Sequence, residues 1–206
     1  MMIKEFGGKV ASVWEGLRPI TRKMLVRTLQ SGSLAASNPQ TPKFLYDAHA
    51  DWEVSRLLSA LDEQSTTSEV RTDSTKLNEI TQLANTCVLV LESQSASAEV
   101  FIQLAERAIR ANNYDRLDKL GDRLAERYSP HEIAEVVRQT EMPQIRAIAY
   151  ETMAMLPLVA IIPLLDDPLY AGIAAATIEQ KAFEFDSQEA RDILDQIDTE
   201  GIFTEQ

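Results

Sequence analysis

"IRAIAYETMAMLPLVAIIPLLDDPLYAGIAAATIEQKA", residues 145–182, is the most apolar part of a 206-residue chain. It reads as a membrane span, a buried core segment, or part of a stack of short helices. Length decides against the span. The charge-free run from Thr152 to Leu165 has 14 residues, whereas a spanning helix needs about 20. Arg146 and Glu151 bound it on one side, Asp166 and Asp167 on the other, and Pro157 and Pro163 divide it.

The stack has positive support. A shift of 25 residues lays 133–153 over 158–178. Ile133 then meets Leu158, Val136 meets Ile161, Val137 meets Ile162 and Thr140 meets Leu165. Glu141 meets Asp166, Pro143 meets Pro168, Ile148 meets Ile173, Ala149 meets Ala174, Thr152 meets Thr177 and Met153 meets Ile178. Each unit is a short apolar helix, a break made by "EMP" or "DDP", and a second helix with small residues on one face. Such a unit cannot cover its own apolar side, so neighbours must stack. A helical bundle with two similar hairpins satisfies the same pattern.

On these residues, "AIIPLLDDP" (160–168) followed by "AGIAAATIEQKA" (171–182) resembles the short bacterial HEAT-like repeats, most clearly over 130–197. The resemblance implies an α-solenoid with a grooved face for a partner protein. It departs from the family in a 25-residue period against about 40–47, and in Ala171-Gly172 standing where Arg146 stands one unit earlier.

Elsewhere the composition is helical: Ala, Leu, Ile, Glu and Gln are abundant, and there are only seven glycines. Unbranched side chains lose little freedom in a helix, and Gly and Pro are its main breakers. The spacing predicts helices over 3–17, 19–30, 44–62, 75–92, 97–112, 114–127, 130–141, 143–155, 157–165, 169–184 and 187–197. Trp52, Leu57, Leu58 and Leu61 are expected inward. Gly32 is a stop signal, and 63–75 is a Ser/Thr-rich loop. Ser129-Pro130-His131-Glu132 and Ser187-Gln188-Glu189 mark helix starts. No stretch alternates long enough for a strand, so the expected fold class is all-α.

Net charge is −12, unevenly placed. Residues 1–32 hold six basic side chains against Glu5 and Glu15; the other 174 hold 14 basic and 30 acidic ones. So acidic a body repels phosphate backbones, which argues against nucleic acid as partner. Three regions are expected: a basic amphipathic appendage at 1–30, a flexible linker at 31–43, and an acidic all-α domain at 44–206. In the appendage Ile3, Phe6, Val10, Val13 and Leu17 form a stripe with Trp14 beside it, and Lys4, Lys9, Arg18, Arg22, Lys23 and Arg27 supply the charge. The pattern suits a helix docking on a partner protein or lying on an anionic membrane. It also suits a helix pair folded back on the body. A cleaved organellar presequence fits less well because of Glu5 and Glu15.

Motifs of catalysis and metal binding are weak. "DAHADWE", 47–53, gathers Asp47, His49, Asp51 and Glu53, but on a helix residues i and i+2 diverge by about 200°. "HEIAE", 131–135, has Glu135 where a zinc-peptidase helix needs its second His. The lone Cys87 lies in the apolar run "CVLVL", the setting of an inert buried thiol. No cofactor is implied. The reading is a non-enzymatic, cytoplasmic protein–protein interaction scaffold or adaptor. Its rivals are a membrane-surface tether and an enzyme built around Asp47, His49 and Asp51.

Overall fold

The computed structural model describes residues 3–32 and 46–200, with side chains over 5–32 and 46–196. All regular structure among the described residues is helical. None of these helices is long and apolar enough to cross a membrane. The chain divides into two compact units, Met1–Ser95 and Ala96–Gln206. The N-terminal segment therefore belongs to the first unit instead of forming an appendage, and the boundary falls at Ser95, not near 43. The expected linker lies almost wholly outside the described residues.

In the first unit a 3₁₀ turn, Ile3–Phe6, leads into α1 (Gly8–Gly16), α2 (Pro19–Ser31), α3 (Ala48–Ser65), α4 (Ser68–Thr72) and α5 (Ser74–Gln94). The single helix expected over 3–17 is broken at Gly7, whose φ of 105° and ψ of 152° are open only to glycine. A Cβ there would also stand 2.7 Å from Gln64 Oε1. Gly32 closes α2 in the left-handed conformation, as its sequence position suggests.

α3 and α5 form the centre of this unit, α1 packs on α3, and α2 packs on α5 and α3. Leu57, Leu58 and Leu61 are buried, as is Cys87. Trp52 is not inward: it is 54% exposed. It sits about 200° around α3 from Ala50, which shares the buried face with Val54, Leu57 and Leu61. Arg56 lies over its ring instead, at 5.2 Å. The loop expected at 63–75 holds α4, drawn in by the buried Val70.

The second unit continues with α6 (Ala98–Arg110), α7 (Tyr114–Arg127), α8 (Pro130–Gln139), α9 (Pro143–Met155), α10 (Leu158–Ile161), α11 (Ala171–Phe183) and α12 (Gln188–Glu200). α6 packs on α7 and α8, α8 on α9, α7 on α9, α9 on α11, and α11 on α12. Ser129 and Ser187 cap their helices through Glu132 N and Ala190 N. The helix expected at 157–165 gives way at Ile162 to a 3₁₀ turn, Ile162–Asp166. Pro163 lacks the N–H an α-helix needs and its ring crowds the carbonyl four residues back.

Burial recurs with the 25-residue shift. Ile133 and Leu158, Val136 and Ile161, Ala149 and Ala174, Thr152 and Thr177, and Met153 and Ile178 are buried at both members of each pair. Thr152 and Thr177 each donate to the carbonyl four residues back, Ile148 O and Ile173 O, at 2.8 Å. The match fails at Ile162, which is 40% exposed where Val137 is buried.

Candidate functional site

The residues singled out near the N-terminus form a clamp within the first unit. Glu53, 1% exposed, accepts from the Arg18 backbone N–H at 2.6 Å, from Arg18 Nε at 3.0 Å and from the Thr21 hydroxyl. The Arg18 guanidinium turns its other nitrogens to Asp47, at 2.7 and 3.0 Å, a two-point pairing. Asp47 caps α3 by accepting from Ala50 N. The Arg18 bond holds the Asp47 carboxyl well below its ordinary range. Burial pushes Glu53 upward, but the bonds from Thr21 and Arg18 outweigh it and the net shift is downward.

Asp51 faces another way, accepting from Tyr46 OH at 2.6 Å and Ser95 Oγ at 2.9 Å. Burial raises its pKa despite those bonds. His49 Nε2 stands 3.8 Å from Glu53 Oε1 and its ring contacts Trp52. The helix geometry thus turns Asp51 away from Asp47, His49 and Glu53, and no group of three or more metal-ligating side chains forms among the described residues. Asp47 and Asp51 are both engaged in hydrogen bonds within the first unit.

The docking stripe is likewise turned inward. Phe6, Val10 and Leu17 are 1%, 0% and 4% exposed, and Val13 and Trp14 are half-buried. Burying each large apolar side chain is worth about 1.5–3 kcal/mol, which a membrane or partner would have to replace. Lys9 pairs with Glu63 of α3, and Arg18 is in the clamp. Arg22, Lys23 and Arg27 lie along α2. The side chains of Ile3 and Lys4 fall outside those described. Phe6, Val10 and Leu17 of the stripe therefore pack inside the first unit.

"HEIAE" is a structural anchor too. Glu135 accepts from Arg138, Gln139 and, at 3.0 Å, Tyr170 OH. The Arg138 bond, with those of Gln139 and Tyr170, lowers its pKa to about 2. The His131 ring meets Tyr170 edge-on at 5.8 Å.

Between α7 and α9 lies a groove of about 330 Å³, with room for a ligand. Leu117, Gly121 and Ala125 line it from α7, and Ile148, Thr152 and Met155 from α9. The acids are Asp118, Asp122 and Glu151, all exposed. The Thr152 hydroxyl is bonded to Ile148 O, so the floor is apolar in effect. The second unit as a whole holds 10 basic and 21 acidic side chains, so −11 of the chain's −12 resides there.

Sequence reasoning did not single out this groove. "LDKLGDRLAE", 117–126, carried two signals of it: a glycine inside an unbroken helix, and Asp118 and Asp122 repelling one another at i, i+4. Set against known proteins, the chain matches no family model, no curated protein and no solved structure.

Proposed function

We propose that the protein is a non-enzymatic interaction module whose second unit is a short HEAT-like stack of helical hairpins, with the α7–α9 groove as its docking surface. The recurring burial at 25-residue spacing supports stacking of hairpin on hairpin. So do the neighbour relations of α7, α9 and α11. The observation that carries the functional reading is the groove: an apolar floor on two facing helices, open to solvent and bordered by charge. Apolar floors with a charged rim are the common anatomy of protein-binding surfaces.

The test is site-specific photo-cross-linking in cells. A cross-linking residue at Met155, 74% exposed beside the groove, is expected to yield a discrete protein adduct. The same residue at exposed Glu99 on α6 is expected to yield none. No adduct at 155, or identical adducts at both positions, overturns the proposal.

A further inference from the structure

We infer that the occupant of the α7–α9 groove is an α-helix of a partner protein, apolar along one stripe and flanked there by Lys or Arg. This rests on the groove being the docking surface and names the chemistry of what docks.

The shape argues for a helix. The apolar line on α7 runs Leu117, Gly121, Ala125, and on α9 it runs Ile148, Thr152, Met155. At 1.5 Å per residue these lines extend for about 12 and 10 Å. Anchors at i, i+3 or i+4, and i+7 of a docked helix span about 10 Å, the same two turns. Other modes of peptide recognition lack their platform. Strand addition needs a sheet edge, and there is no strand among the described residues. Polyproline recognition needs aromatic walls, and no aromatic side chain lines this groove.

Gly121 deepens the floor. A Cβ there would meet Ile148 Cγ2 at 3.4 Å, in van der Waals contact across the two helices. Glycine inside a helix costs about 0.5–1 kcal/mol against alanine, so the bare backbone at this point of the floor runs against the helix's own preference.

The charge argues for a basic flank. Asp118, Asp122 and Glu151 surround the floor, and no ion pair to any of them occurs among the described residues. Asp118 and Asp122 repel across one turn. A cation between them and Glu151 removes that repulsion and gains attraction, while an acidic or phosphorylated partner meets the field of a unit carrying −11.

The experiment is fluorescence polarisation with the full chain and labelled Leu/Lys peptides about 18 residues long. One has its leucines on a helical stripe, one has the same composition scrambled, and one replaces every Lys by Glu. The striped Leu/Lys peptide is expected to bind one per chain, with affinity falling as salt rises from about 50 to 500 mM. The scrambled peptide is expected to bind at least about tenfold more weakly and the Leu/Glu peptide not measurably. The exposed-surface variant D118N/D122N/E151Q, and separately Gly121→Leu, should each weaken the striped peptide about tenfold or more. The control E99Q/E179Q/E189Q removes the same charge elsewhere in the unit and should leave it unchanged, with thermal melts confirming that each variant is folded.

Equal binding of the scrambled peptide, equal loss in the control variant, or salt-insensitive binding overturns the inference. So does a concentration-dependent doubling of mass that Gly121→Leu abolishes, since the occupant is then a second copy. If Met155 cross-links to a protein while the striped peptide fails to bind, the docking surface stands and the helical basic occupant falls.

Discussion

Arg18 and Glu53, 35 residues apart, are joined twice: the arginine's backbone N–H and its side-chain Nε both reach the one buried carboxylate. Those two hydrogen bonds fix where α2 begins relative to α3. Removing Glu53 leaves Thr21 and the Arg18 N–H without an acceptor in a dry place, so Glu53→Ala is expected to destabilise by roughly 2–4 kcal/mol. Hydrogen exchange should rise across 5–32 more than across α6–α9. Replacing both partners, as Arg18→Met with Glu53→Leu, is expected to recover only part of the stability, because the Thr21 hydroxyl and the backbone N–H of residue 18 still lack their acceptor. A denaturant series on the three proteins measures this.

Gly7→Ala is expected to destabilise by about 1–3 kcal/mol, since alanine strains at this φ and ψ and its Cβ would displace Gln64. Gly8, with open space at its Cβ, is the control: Gly8→Ala should be tolerated. Urea midpoints distinguish the two.

Lys181 ends in α11 but its ammonium donates to Ala154 O at 2.6 Å and Leu156 O at 2.9 Å, closing the C-terminal end of α9. Lys181→Met keeps the stem and removes the donors, and is expected to cost about 1–2 kcal/mol. Exchange of amides late in α9 should speed up.

Gly121→Ala carries opposite signs for stability and binding. It should stabilise by about 0.5–1 kcal/mol through helix preference, while narrowing the groove and weakening the striped peptide. Melting temperature and peptide affinity, measured on one preparation, should move in opposite senses.

The Glu135 carboxyl has its pKa lowered to about 2 in the fold, against an ordinary value near 4.5. A depressed carboxyl stabilises fully above the unfolded pKa and ceases to as pH falls through the folded one. Glu135→Gln should therefore be less stable than the parent at pH 7, with the gap closing between about pH 4.5 and 2. Stability profiles that stay parallel across that window contradict this role.

How far the sequence reads depends on the range of the physics. Helix starts and stops at Gly32, Ser129, Pro143 and Ser187 were legible, because a cap or a fixed φ acts within a few residues of itself. So were the all-α class, the burial of Cys87 and the 25-residue register that sets Thr152 against Thr177, which follow from period and side-chain size. What the sequence left open was which partner each amphipathic face meets. The stripe of Phe6, Val10 and Leu17 looks the same whether it faces lipid, another protein or α3; only the packed structure selects α3 and places Arg18 between Asp47 and Glu53. Trp52 reads as core by hydropathy and lies outside because the face was already set by Ala50, Val54 and Leu57. The groove also awaited the fold. Leu117 and Ile148 are distant in sequence, and a surface shared by two helices exists only once tertiary contacts set them side by side.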